Sequence, residues 1–228
     1  MIPFKRLLGL ACLPLITHAA AIEVKLDTAE RGAPINPMIY GQFIEHLGRC
    51  IYGGIWAEML EDRKFYFEVT SDYAPYTNLQ DTDFPVVGAS PWEITGAEGG
   101  LRMVTADSFV GDHTPHLKAG SGIQQHDLSW EKGRGYEGYV WLKRTGGQHA
   151  KVTVRLGGGM MPGEFQFVAT ADDYQQFYFY WEASSDTAKG TLSIEVTDGA
   201  ALVGTASLMP DDNIRGMRAD TIALLQEL

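Results

Sequence analysis

Between Tyr136 and Leu208 the sequence falls into short runs of alternating apolar and polar residues, cut by glycine clusters. This punctuation constrains the fold more than any other feature. The runs are Tyr136–Leu142, Ala150–Leu156, Glu164–Val168, Gln175–Trp181, Thr191–Val196 and Ala201–Leu208. A period of two sends successive side chains to opposite faces of a strand. Strand-length pieces at this spacing, with no helical pattern between them, predict an antiparallel β-sandwich or jelly roll over the stretch from Pro91 to Leu208. The alternation also sorts aromatics onto faces. Val140 and Leu142 oppose Tyr139 and Trp141, while Phe177, Phe179 and Trp181 oppose Tyr178 and Tyr180. One face of each strand must be core, and the pattern alone does not say which.

The segments on either side have a different texture. The first residues read as an export signal: Lys5 and Arg6 precede the apolar run Leu7 to Ile16, and Ala19, Ala20 and Ala21 supply a small-residue cleavage site. The apolar run is shorter than the about 20 residues a membrane span requires. A lipoprotein reading at Cys12 is disfavoured by Gly9, where a branched apolar residue is usual. Residues 1–21 are therefore expected to be removed, with the rest exported to the periplasm or the medium. Cys50 is then the only remaining cysteine, so stability must come from packing and not from an internal disulfide. From Ile22 to about Phe67, a strand pattern, a glycine-rich loop and the helically spaced Trp56, Met59 and Leu60 read as the opening of an α/β barrel. Residues 68–84 are expected to be a polar connecting loop. At the other end, Met209 to Asn213 is turn chemistry, and Ile222, Leu225 and Leu228 recur at helical spacing after Asp220. Short helices depend on tertiary packing, so a chain stopping inside one is expected to be a fragment of a longer protein or a gene product cut short.

The formal charge of −11 narrows the partners. Removing Lys5 and Arg6 with the leader makes it more negative still. Nucleic acids and anionic membranes are disfavoured, while a neutral polysaccharide is compatible with an acidic surface. No phosphate loop and no zinc-spaced cysteine set occurs, so no metal or cofactor is expected. His113, His116 and His126 fit no common metal spacing and are read as loop residues.

The densest candidate site is the run from Tyr40 to Trp56. Glu45 and His46 directly follow an apolar, strand-like stretch, and in barrels the residues just past a strand line the active site. An ionised Glu45 would accept strong, charge-assisted hydrogen bonds from sugar hydroxyls. Two bland readings stand beside this one: Glu45 paired with Arg49, and His46 as a satisfied, partly buried residue. Glu58 and Glu61 read as the solvated face of the helix that follows. The adjacent pairs Asp172/Asp173 and Asp211/Asp212 sit in turn-like sequence, where acidic residues cap and solvate.

The run from Asn36 to Trp56, with Tyr40-Gly-Gln-Phe-Ile-Glu-His-Leu-Gly-Arg49 and Ile51-Tyr-Gly-Gly-Ile-Trp56, resembles the N-terminal signature of α-L-arabinofuranosidases of glycoside hydrolase family 51. Ser207-Leu-Met-Pro-Asp-Asp-Asn-Ile-Arg-Gly-Met-Arg218 resembles the point where those enzymes resume their barrel. The resemblance implies a mostly-β chain: a carbohydrate-binding-module-like sandwich at 85–208, inserted into the first elements of an incomplete (β/α)8 barrel at 22–84 and 209–228. It implies that Glu45 binds the sugar hydroxyls and is neither acid nor nucleophile. Retaining hydrolysis uses two carboxyl groups about 5–5.5 Å apart. In the family both are glutamates on later barrel strands, so none of this chain's residues is expected to be catalytic. The implied partner is an arabinose-containing polysaccharide or oligosaccharide, of hemicellulose or pectin. The alternative is a stand-alone carbohydrate-binding sandwich without catalysis.

Overall fold

The computed structural model describes residues 32–36, 39, 51, 53–76 and 87–227. The chain divides into two units, Met1–Phe43 and Ile44–Leu228. The described part of the first holds one turn, in which the Ile39 N–H donates to the Asn36 carbonyl over 2.9 Å. The strands belong to the second. The leader, Glu45, His46 and Cys50 lie outside the described residues.

In chain order the strands are β1 (Glu93–Gly96), β2 (Leu101–Val104), β3 (Thr114–Lys118), β4 (Ser121–Trp130), β5 (Gly135–Arg144), β6 (Ala150–Gly157), β7 (Gly163–Ala169), β8 (Gln175–Glu182), β9 (Thr187–Asp198) and β10 (Ala200–Pro210). One helix, α1 (Ala219–Gln226), follows. The strands form two five-stranded antiparallel sheets, ordered β1-β4-β9-β6-β7 and β2-β3-β10-β5-β8. Each of the six alternating runs becomes one of the strands β5 to β10. The chain is mostly β, an antiparallel sandwich, as its punctuation implies.

The core is built by alternation. Val152, Val154 and Leu156 of β6 and Leu192, Ile194 and Val196 of β9 are buried and face Leu117, Val140, Leu142, Val203 and Leu208 of the other sheet. Trp130 lies edge-on to Trp181, with ring centroids 5.3 Å apart, and donates its indole N–H to the Gly157 carbonyl at 2.7 Å. This meets the polar need of a ring that is only 2% exposed. Gly190 is the slot for that ring, since a Cβ there would overlap the indole.

Strands β1 to β4 have no counterpart among the predicted runs, and β4 shows why. Its inward residues are Ile123 and Gln125, then Leu128 and Trp130, because an irregularity between Gln125 and Leu128 shifts the phase. Asp127, at φ 57°, sits in that irregularity. A bulge adds a residue to one strand and erases simple alternation from the sequence. The same device works in β10, where Val203 and Ala206 both point inward across a bulge at Gly204.

The segment before the sandwich differs from expectation. Trp56 to Leu60 is not helical. Trp56 bridges to Met217, the Ala57 N–H donates to the Gly216 carbonyl, and the Met59 N–H donates to the Leu208 carbonyl. β3 pairs with β10 only over Ala200–Leu202, so the later half of β10 offers free backbone groups, and this segment takes them. Long-range pairing outweighs the weak local preference for helix. Leu60, Phe65 and Val69 then join the sandwich core, and Phe65 packs on Trp92 at 5.4 Å. Helix α1 forms where the spacing of Ile222 and Leu225 places it. Asp220 lies in its first turn, and none of its residues is buried.

Candidate functional site

Two regions of the described structure gather polar and aromatic groups. The first is a cavity of about 660 Å³ where 53–67, the β4–β5 turn and the segment after β10 meet. Its acidic residues are mostly tied down. Glu58, read from the sequence as part of a solvated helix face, is buried with a side chain only 1% exposed. It accepts hydrogen bonds from Ser207 Oγ at 2.6 Å, the Leu208 N–H at 2.9 Å and the Leu60 N–H at 3.1 Å. Arg63 Nε stands 3.7 Å away. Burial pushes this carboxyl above the usual range, against the pull of those hydrogen bonds and of Arg63. Asp62 holds the next turn, accepting from the Tyr66 N–H at 2.6 Å and the Phe67 N–H at 3.0 Å, and burial raises its pKa as well. Glu61 accepts from the Tyr76 hydroxyl at 2.6 Å. At the rim, Arg134 joins Glu131 at 2.6 Å and Asp212 at 2.9 Å. These contacts suit a structural junction. Glu58 clamps the 57–63 segment onto β10.

The second region is the outer face of β10, β5 and β8. Alternation left open which aromatics face outward, and burial decides it. Phe179 and Trp181 are 6% and 8% exposed, whereas Tyr178 and Tyr180 are 70% and 54% exposed. Strand pairing aligns Tyr178 with Tyr139 and Ser207, and Tyr180 with Glu137 and Met209. These residues line a cleft of about 500 Å³. Tyr139 and Tyr178 meet edge to face with centroids 6.1 Å apart. Each phenol has a polar partner. Arg63 Nη1 donates to Tyr139 Oη at 3.1 Å, Tyr178 donates to Gln176 Oε1 at 2.7 Å, and Tyr180 donates to Asp211 Oδ2 at 3.1 Å. Asn213 Nδ2 fixes Glu137 at 2.7 Å. The hydrogen bond to Asp211 raises the Tyr180 pKa, since deprotonation would set two anions side by side. Gly135 makes room for this contact, because a Cβ there would overlap Asp211 and the Tyr180 hydroxyl.

Trp141, on the same face, is covered. Phe109 packs on it at 5.0 Å and on Tyr174 at 4.9 Å, and burial pushes the Tyr174 phenol up to about 12. The histidines read as loop residues divide: His113 lies in a loop, but His116 is on β3 and His126 on β4. His116 Nε2 pairs with Thr145 Oγ1 at 2.8 Å, and His126 Nε2 with Glu93 Oε2 at 2.6 Å. Among the described residues no group of three or more His, Cys, Asp or Glu could hold a metal ion. Asp172 and Asp211–Asp212 sit in turns or bends, Asp172 paired with Arg144. Glu137 and Gln176 were not singled out in the sequence. Their signal was present, since each lies two residues from a tyrosine of this outer face and so shares it.

No protein-family model matches the chain. An extracellular exo-α-L-arabinofuranosidase of Streptomyces chartreusis is 27% identical over 205 residues, covering 86% of this chain and 23% of that protein. An exo-α-(1→6)-L-arabinofuranosidase of Bifidobacterium longum is 30% identical over 137 residues, covering 55% of this chain and 22% of that protein. The chain thus spans about a quarter of the length of these relatives. Among solved structures, an arabinose-bound GH51 α-L-arabinofuranosidase matches 81% of this chain and 32% of its own, with a TM-score of 0.58 at 16% identity. Over most of its length this chain is similar in sequence to α-L-arabinofuranosidases, and its fold recurs in part of a GH51 member.

Proposed function

We propose that this chain is the N-terminal part of an exported α-L-arabinofuranosidase that releases terminal arabinofuranose from hemicellulose or pectin side chains with retention. The similarity to the Streptomyces chartreusis arabinofuranosidase over 205 residues carries this reading. In the proposal, residues 22–84 and 209–228 contribute to a barrel, and 85–208 is the inserted sandwich. Glu45 accepts hydrogen bonds from the sugar hydroxyls, while the nucleophile and the acid/base carboxyl come from a longer protein. The pinned Glu58 and Asp62 fit that division. Their oxygens are engaged with backbone and side-chain donors, which suits bracing better than proton transfer. The leader read at 1–21 supports export.

The test compares the 228-residue chain with a longer protein that carries it, using an aryl arabinofuranoside. The chain alone is expected to release no arabinose, and the longer protein to turn over. In the longer protein Glu45→Ala should lower kcat/KM by about a hundredfold, through lost contacts that tighten in the transition state. Robust turnover by the 228-residue chain, or unchanged kcat/KM in Glu45→Ala, refutes the respective assignment. The second reading, a carbohydrate-binding sandwich, is favoured by the outward exposure of Tyr178 and Tyr180.

A further inference from the structure

We infer that the outer face of β10, β5 and β8 is a binding platform for a neutral glycan chain, with Tyr178, Tyr180 and Tyr139 as its stacking surface and Glu137 as its hydroxyl acceptor. This deepens the carbohydrate-active reading of the chain, but it is independent of arabinofuranosidase activity. Tyr178 and Tyr180 stand two residues apart on one face of β8, about 6.6 Å along the strand. Tyr139 closes the inner side, its ring edge-on to Tyr178. An aromatic face carries negative potential and attracts the weakly positive C–H groups on the flat side of a sugar ring, while the ring's hydroxyls remain free for the rim.

Four observations select a neutral glycan as the occupant. The phenols are already held, by Arg63, Gln176 and Asp211, so ordering them on binding costs little. The polar groups around the rings are mainly acceptors: Glu137 and Asp211 keep free lone pairs, which match a polyol that presents a hydroxyl donor at nearly every carbon. Acidic residues are depleted in protein–protein interfaces, whereas this cleft holds Glu137 beside its rings, and Met209 is the only aliphatic side chain among the described residues that line it. The formal charge of −11 disfavours uronate-rich or sulfated polymers.

Affinity electrophoresis and calorimetry of the 228-residue chain, with debranched arabinan, arabinoxylan and galactan as neutral probes and polygalacturonate as the anionic one, test the inference. At least one neutral polymer should retard the chain, and polygalacturonate should not. Tyr178→Ala and Tyr180→Ala should each lower the association constant about tenfold, the effect of removing roughly 60 Å² of apolar contact. Tyr178→Phe should retain binding within about threefold, because the stacking face survives. All three variants should keep the wild-type melting temperature within a few degrees, since these side chains lie outside the core. Failure of every neutral polymer to retard the chain overturns the inference. So does retardation by polygalacturonate alone, or wild-type affinity in the Tyr178→Ala/Tyr180→Ala double variant. Hydroxyl-radical footprinting of the longer protein supplies the remaining outcome: protection of Tyr178 and Tyr180 without added glycan would make the face an internal brace and overturn the inference. A longer protein lacking arabinofuranosidase activity would sink the proposed enzyme while leaving a positive binding result in force.

Discussion

Replacing Glu58 probes the junction between the 57–63 segment and the sandwich, and the geometry gives the size of the effect. Glu58→Ala leaves the Leu208 and Leu60 N–H groups and the Ser207 hydroxyl without their acceptor in a buried place. Each unsatisfied buried donor costs about 1–3 kcal/mol. Ser207 can turn its hydroxyl elsewhere, and removing the carboxylate also removes its own desolvation cost. The net loss should be about 3 kcal/mol, or roughly 6–12 °C in Tm for a chain of this size. Glu58→Gln keeps an oxygen for the two N–H groups and presents an amide to Ser207, which then accepts, so it should cost no more than about 1 kcal/mol. The pH dependence follows from the raised pKa. The folded state binds the Glu58 proton more tightly than the unfolded chain does, so this group stabilises below the ordinary value of 4.5. That contribution is lost as pH rises through the folded value. Glutamine mimics the protonated form, so the stability difference should move in favour of Glu58→Gln as pH rises from below 4.5 across this window. Urea unfolding followed by the fluorescence of buried Trp92 and Trp130 measures all three. A Glu58→Ala loss under about 1 kcal/mol, or a glutamine variant as damaged as the alanine one, would refute the clamp.

Three further expectations follow from single contacts. Gly135→Ala should leave the core stable but turn Tyr180 away from Asp211, so it should weaken glycan affinity several-fold in calorimetry. Gly190→Ala forces a methyl into the Trp130 indole and should destabilise by about 2 kcal/mol in urea titration, with perturbed tryptophan emission. Arg218 holds the Asp220 carboxyl down to about 2, so this pair's contribution is present above the ordinary value of 3.8 and is lost as pH falls through about 2. Carboxyl carbon NMR should find that midpoint, and Arg218→Gln should return it towards 3.8.

The six runs from Tyr136 to Leu208 specified their own strands, because a period of two is written locally and survives wherever one face is buried. The spacing of Ile222 and Leu225 did the same for α1. By itself the sequence also settled that Tyr178 and Tyr180 share one face and Phe177, Phe179 and Trp181 the other. Only the tertiary structure decided which set meets water, because that depends on where the second sheet lies, and both faces are aromatic. Bulges at Asp127 and Gly204 hid the phase of β4 and β10, and the identity of the bulged residue becomes visible only against its partner strand. The same physics governs Trp56 to Leu60 and Glu58. Helical spacing described their local preference, but the free edge of β10, about 150 residues away in sequence, claimed their backbone and turned an apparently solvated carboxylate into a buried clamp.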